Sequence, residues 1–197
     1  MKNNLLGYVM ILLICYIVYR LYMESEFFHL KCIVSDVDGN KYCVRERAKL
    51  EEASDLLATT TTKMSKLVKH LGETYPEQEN VKYLVSNYNP KKIMETLPTS
   101  EYTAYSENKG EKIAFCLNER KHDNNDLIDQ NTLMFVALHE MAHLASKSIG
   151  HTEEFWQNFK FLIEEAVKIN IYVAENYKKS KQMYCGMTIK DNPYYDL

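Results

Sequence analysis

No long run of one charge occurs anywhere in this chain. Its 24 basic and 27 acidic residues leave a formal net charge of −3 and a pI near 6.1. The basic face with which a protein meets nucleic acid is therefore missing, and no nucleic-acid partner is expected. Internal repeats and low-complexity linkers are absent as well, and 197 residues leave room for one domain with a proper core but not for two. Cysteine is too sparse, at five residues, for a small disulfide-dense secreted scaffold. Cys15 lies in an apolar stretch, so Cys32, Cys43, Cys116 and Cys185 remain as two bridges or as free thiols. A two-residue turn at Asp38-Gly39 sets Cys32 and Cys43 diagonally across a hairpin, which is poor geometry for a bridge. No Asn-x-Ser/Thr sequon occurs, so glycosylation gives no sign of a lumenal location.

Long apolar runs are also scarce, with one exception. Residues 5–19, "LLGYVMILLICYIVY", carry no charge, and the apolar character resumes after Arg20 with "LYM". About 18 residues can therefore lie in a hydrocarbon layer, near the lower limit for a spanning helix. Tyr16, Tyr19 and Tyr22 stand near its far end as interfacial aromatics do, and Arg20 can snorkel. A cleaved signal peptide would need a small-x-small site, which "RLYMESEFF" does not offer. The expectation is a retained single-pass membrane anchor with its flank over residues 1–26, followed by a single domain over 27–197. Lys2 on one side faces Arg20 and Lys31 on the other, so the positive-inside rule leaves the orientation open.

Beyond the anchor, "FFHLKCIVSDVDGNKYCVR" reads as two short strands around the Asp-Gly turn. From about residue 45 to 71 apolar positions recur at helical steps, Leu50, Ala53, Leu57, Thr60, Met64, Leu67 and Leu71, and Gly72 supplies a stop. "PEQENVKYLVSNY" and "PKKIMETL" look like shorter helices, the second begun by Asn89-Pro90. Residues 101–106 and 112–117 form a predicted hairpin, and "ERKHDNNDLIDQ" is a loop in which His122 is expected to be solvated. "TLMFVALHEMAHLASKS" reads as a helix ending at Gly150, and a second long helix begins at Thr152 and runs through "FWQNFKFLIEEAVKINIYVAENY". The tail "YCGMTIKDNPYYDL" is expected to fold back on the domain.

The stretch "LHEMAHLASKSIGHTEEFW" carries the chemistry. Three of the chain's six histidines fall in it, at 139, 143 and 151. His139 and His143 are one helical step of four apart and project from one face, close enough for both imidazoles to bind one ion. Glu140 beside them can reach a water on that ion. This HExxH arrangement suits zinc, which acidifies a water and polarises a scissile carbonyl, while the glutamate takes the water's proton and passes it to the leaving amine. A catalytic zinc needs a third protein ligand. Position 149 is isoleucine where a metzincin would have histidine, and Glu164 and Glu165 stand near the thermolysin-like distance without its local pattern. His151 follows Gly150, where a left-handed turn can bring the next residue back over the metal, and is the chosen third ligand.

"HEMAHLASKSIGHTEEFW" resembles the HExxH, short spacer, His-x-x-x-Phe-Trp/Tyr stretch of the WLM and SprT-like zinc peptidases. The resemblance implies zinc ligands at His139, His143 and His151, a general base at Glu140, and packing roles for Phe155 and Trp156. It also implies an upstream edge strand that pairs with extended substrate. Well-known members act on DNA-crosslinked proteins through basic or zinc-binding modules, and those modules are missing here. The anchor and the ending look like those of small proteins encoded by large DNA viruses. Tyr102, Tyr105 and Tyr184 are available phenols for stabilising a transition state. Met187 in "CGMT" is similar to a Met-turn, but a buried methionine is the expectation.

The expected fold is thus α+β and zincin-like, helix-rich with a small antiparallel sheet behind one transmembrane helix. The expected function is zinc-dependent hydrolysis of a protein or peptide substrate at a membrane. The alternative is a non-catalytic membrane or virion protein with a structural zinc site. Intact Glu140 separates the two, because a structural site has no use for a carboxylate beside an open coordination position.

Overall fold

The computed structural model describes residues 3–25, 29–121 and 126–196, so the expectation for His122 lies outside the described residues. Helix α1 (Asn3–Glu24) is apolar on every side, and its side chains from Leu5 through Tyr22 are all exposed. By length and composition Leu5–Met23 is able to cross a membrane.

Strands β1 (Leu30–Val34) and β2 (Lys41–Arg45) form the expected antiparallel hairpin, but in a different register. Cys32 stands directly opposite Cys43, and the two are joined as a disulfide. The diagonal placement derived from a two-residue turn was wrong because the turn is wider. Ser35 N–H donates to the Asn40 carbonyl at 2.9 Å and Gly39 N–H to the Ser35 carbonyl at 3.0 Å, leaving four residues in the loop. The Asp38 carboxylate organises that loop by accepting from Asn40 N, Asn40 Nδ2 and the Tyr42 hydroxyl. A side chain that bonds backbone two residues on competes with the tighter turn.

Helix α2 (Leu50–Thr74) buries the stripe read from the sequence, including Ala53, Leu57, Thr60, Met64, Leu67 and Leu71. The threonine run is accommodated by bonding backwards, Thr59 Oγ1 to the Asp55 carbonyl and Thr60 Oγ1 to the Leu56 carbonyl, both at 2.8 Å. Helix α3 (Glu79–Asn87) follows with Val81 and Leu84 buried. The helix expected from "PKKIMETL" does not form. One 3-10 turn, Pro90–Lys92, is capped by Asn89 and leads straight into strand β3 (Ile93–Glu95). Parallel pairing with β5 (Lys112–Phe115) overrides the local helical pattern, setting Ile93 against Ile113 and Glu95 against Phe115.

Strand β4 (Ala104–Glu107) pairs antiparallel with the other side of β5, so the sheet is mixed, ordered β3-β5-β4, rather than purely antiparallel. The turn between β4 and β5 holds Asn108, Lys109 and Gly110 at positive φ. Gly110 is required there, since a Cβ would come within 2.0 Å of the Asn87 carbonyl oxygen.

Helix α4 (Gln130–Ala145) is the hub, with twelve of its 16 residues buried. Asp129 caps it by accepting from Asn131 N and Thr132 N at 3.0 and 2.9 Å. It ends at Ala145 rather than running to Gly150, because Ser146 is extended. Helix α5 (Glu153–Lys168), capped by Thr152, also stops earlier than its sequence pattern indicates. The β-branched and aromatic run Ile169 to Val173 leaves the helix at Asn170, whose φ is +57°. Strands β6 (Gln182–Tyr184) and β7 (Met187–Ile189) make the returning tail a hairpin, tied to the sheet by a Cys116–Cys185 disulfide. The fold is α+β, five helices and small sheets among the described residues, packed around α4.

One buried polar cluster had no signal in the sequence. Glu95, 1% exposed, lies against the guanidinium groups of Arg47 and Arg45, the latter at 3.4 Å, and accepts from Arg45 N at 2.7 Å. Arg45 also donates to the carbonyls of Thr96 and Lys121, so the cluster clamps the first hairpin to the sheet.

Candidate metal centre and cleft

His139, Glu140 and His143 project from the last two turns of α4, and His151 comes from the loop joining α4 to α5. The three imidazoles form a nearly regular triangle, with ring centroids 5.0, 4.9 and 5.0 Å apart. One nitrogen from each lies within 4.8 Å of the others, and His151 Nε2 is 3.0 Å from His139 Nε2. Ligand nitrogens around a tetrahedral zinc stand about 3.3 Å apart, so the donor set fits such an ion. Its chemistry fits as well. Burial, reinforced by the neighbouring His143 and His151, lowers the His139 pKa to about 3, and burial with the charges of His151 and Lys109 lowers that of His143 to about 4. Both imidazoles are therefore neutral at pH 7 with a lone pair to offer.

Phe155 backs the triangle. It is fully buried, with its ring 4.8, 4.4 and 4.7 Å from those of His139, His143 and His151. Trp156 differs from expectation. It is 44% exposed and lies over His151 at 5.9 Å, forming part of the outer face rather than the core.

Glu140 is 4% exposed and flanks the triangle on the side of the sheet. Burial raises its pKa to about 7, opposed by a hydrogen bond from the Ser106 hydroxyl on β4. A carboxylate with a pKa near neutrality is suited to taking and returning a proton.

Above these groups opens a cleft of about 490 Å³. Tyr102, Tyr105 and Ser106 form one wall, and Ile149, Gly150 and His151 form the other. The first wall is β4, an edge strand, with Tyr102 just before it.

The position of His151 depends on a loop that the sequence did not reveal as organised. Gly150 has φ +84°, the left-handed turn expected before His151, but it sits five residues past the end of α4. Two long-range contacts hold the intervening segment. Lys109 Nζ, reaching over from the β4–β5 turn, donates to the carbonyls of Ser146, Lys147 and Ser148. From the other side the Glu154 carboxylate accepts from Lys147 N at 2.8 Å and Ser148 N at 2.9 Å. A left-handed Asn-Lys-Gly turn was the only trace of this in sequence.

Other sequence candidates are placed elsewhere. Glu165 bonds His70 at 2.8 Å, Tyr75 at 2.9 Å and Lys168, and does not join the triangle. Tyr184 is 2% exposed, with its hydroxyl donating to the Thr103 carbonyl and accepting from Cys116 N. Burial raises its pKa further above the ordinary phenol value. Met187, expected to be buried, is 50% exposed on β7.

The family model of the WLM domain matches residues 45–194. The chain belongs to the WLM family. That family is related to zinc metallopeptidases, and the match spans the fold from the end of β2 through the tail. A protein of Acanthamoeba polyphaga mimivirus, R325, is 32% identical over 173 residues, covering 86% of this chain and 85% of that protein. Protein 136R of Invertebrate iridescent virus 6 is 31% identical over 103 residues, covering 52% of this WLM chain and 56% of its own. Among solved structures, Wss1 from Saccharomyces cerevisiae aligns with a TM-score of 0.49 at 19% identity, over 63% of this chain and 84% of that one.

Proposed function

We propose that this WLM protein is a zinc-dependent peptidase held at a membrane by α1, with residues 1–26 as anchor and flank and 27–197 as the peptidase domain. The observation that carries the reading is the convergence of three imidazole nitrogens within 4.8 Å, with the buried Glu140 carboxylate beside them in an open cleft. His139, His143 and His151 are the ligands, and a zinc ion bound there supplies Lewis acidity towards a water and the scissile carbonyl. Glu140 takes the proton of the attacking water at its carboxylate and delivers it to the leaving amine, and Ser106 orients that carboxylate. The free edge of β4 binds substrate as an added strand, placing a peptide bond over the triangle. Phe155 excludes water from the far side of the ligands.

Two disulfides in the domain support the oxidising side of the membrane as its location. A purely structural zinc site accords less well with the cleft and with Glu140, since structural sites are closed. The test is zinc content and cleavage of an unfolded protein by wild type and Glu140→Gln. Zinc retained by both with cleavage lost in the variant is expected; no cleavage by wild type across a broad panel of unfolded proteins would sink the proposal.

A further inference from the structure

The end of α1 does not hang free of the domain. Thr99 Oγ1 donates to the Met23 carbonyl at 2.8 Å. Tyr19 and Met23 of α1 line a trench of about 940 Å³ whose opposite wall is formed by Leu97, Tyr102 and Tyr105. This trench and the cleft over the histidines share Tyr102, Tyr105 and Ser106, so the two adjoin along β4, one reaching the last turn of α1 and the other Glu140. Among the described residues no strand pairs with the outer edge of β4. The side chains of α1 from Leu5 through Tyr22 are exposed, an apolar surface that needs lipid around it. With α1 in a bilayer, the mouth of the trench therefore opens at the bilayer surface.

We infer that the substrate is an extended segment of another membrane-anchored protein, cut close to where that segment leaves the bilayer. The inference rests on the peptidase and anchor readings above and adds the substrate class. A chain emerging beside α1 enters the trench at Met23, runs along β4 as an added strand, and meets the triangle without turning. Four residues of β4 extend about 13 Å, so the cut falls within roughly ten residues of the membrane surface. The exposed rings of Tyr102, 65% exposed, and the side chain of Ile149, 89% exposed, flank the path and offer apolar contact for alternate substrate side chains.

The experiment uses the full chain with zinc in phosphatidylcholine liposomes and two substrates, each a single transmembrane helix carrying one fixed unstructured segment. In the first the segment starts at the membrane; in the second a rigid helical spacer of about 30 residues, some 45 Å, lifts it away. Both are tethered, so their effective concentrations are similar and only reach differs. The same segment as a soluble peptide is run in parallel. The inference expects the proximal segment to be cut at least tenfold faster than the lifted one, at bonds within about ten residues of the helix by mass spectrometry. Equal rates, or faster cutting of the lifted segment, overturn it while leaving the peptidase reading intact. Cleavage of none of the three overturns both.

Discussion

Glu154→Ala removes the carboxylate that holds the backbone just before His151. The wild-type carboxylate accepts two charge-assisted hydrogen bonds, from Lys147 N at 2.8 Å and Ser148 N at 2.9 Å. Bonds to an ionised group contribute about 1.5 to 3 kcal/mol each when shielded from water. Here the loop is at the solvent edge, so half of that or less is appropriate, about 1.5 to 2 kcal/mol for the pair. Lys109 still holds the three carbonyls from the other side, so the domain stays folded. The cost of ordering the loop moves to the step in which His151 meets zinc, and about 1.4 kcal/mol corresponds to tenfold in affinity. Zinc affinity is expected to fall roughly 10- to 30-fold, read by competition with a chromophoric chelator. Glu153→Ala is the control, because Glu153 is exposed in the same helical turn and, among the described residues, bonds Gln157 rather than the loop. The acid dependence has a definite sign. Hydrogen bonds from Ser148 and from the Lys147 backbone lower the Glu154 pKa to about 2. The strap is therefore complete above the ordinary glutamate value near 4.5 and is lost as pH falls towards 2. Zinc affinity within twofold of wild type in Glu154→Ala would refute the claim that this strap places His151.

Further outcomes follow from the same packing. In zinc-free protein the depressed pKa values of His139, about 3, and His143, about 4, against 6.5 unfolded, contribute stability that is present above pH 6.5 and lost as pH falls. The raised pKa of Glu140, about 7, opposes them between pH 7 and 4.5, and the slope read is the net of the three. The expected net slope is about 1.4 kcal/mol per pH unit between about pH 6 and 4.5, read from thermal unfolding in chelator, and a flat profile contradicts it. Glu95→Ala leaves two buried guanidinium groups without their carboxylate and should cost about 3 to 5 kcal/mol by denaturant unfolding. Tyr184→Phe removes a buried hydroxyl whose partner Cys116 N also bonds the Thr103 carbonyl, so a loss of only about 1 kcal/mol is expected. Alkylation of the denatured, unreduced protein should modify Cys15 alone of the five cysteines, and all five after reduction. Two or more modified sites before reduction would remove at least one bridge.

What could be read directly from residue order is what depends on local periodicity. His139 and His143 share a face because four residues make about one helical turn, and the α2 stripe is buried for the same reason. The apolar character of α1 is equally a property of composition. Where long-range pairing competes with local pattern, residue order was not enough. "PKKIMETL" has helical spacing but becomes β3 because β5 offers a buried partner strand. The Cys32–Cys43 bridge depended on a loop widened by the Asp38 side chain, and a slip of two positions turned a diagonal pair into an opposed one. The Glu95 cluster joins residues about 50 positions apart and has no local pattern at all. His151 stands between these cases. Its Gly150 turn is local, but its place beside His139 is decided by Lys109 and Glu154, which approach the loop from a distant turn and from the next helix. Backbone periodicity therefore determined two of the three imidazoles, and tertiary contacts decided the third, because a loop has no repeat of its own to hold its direction.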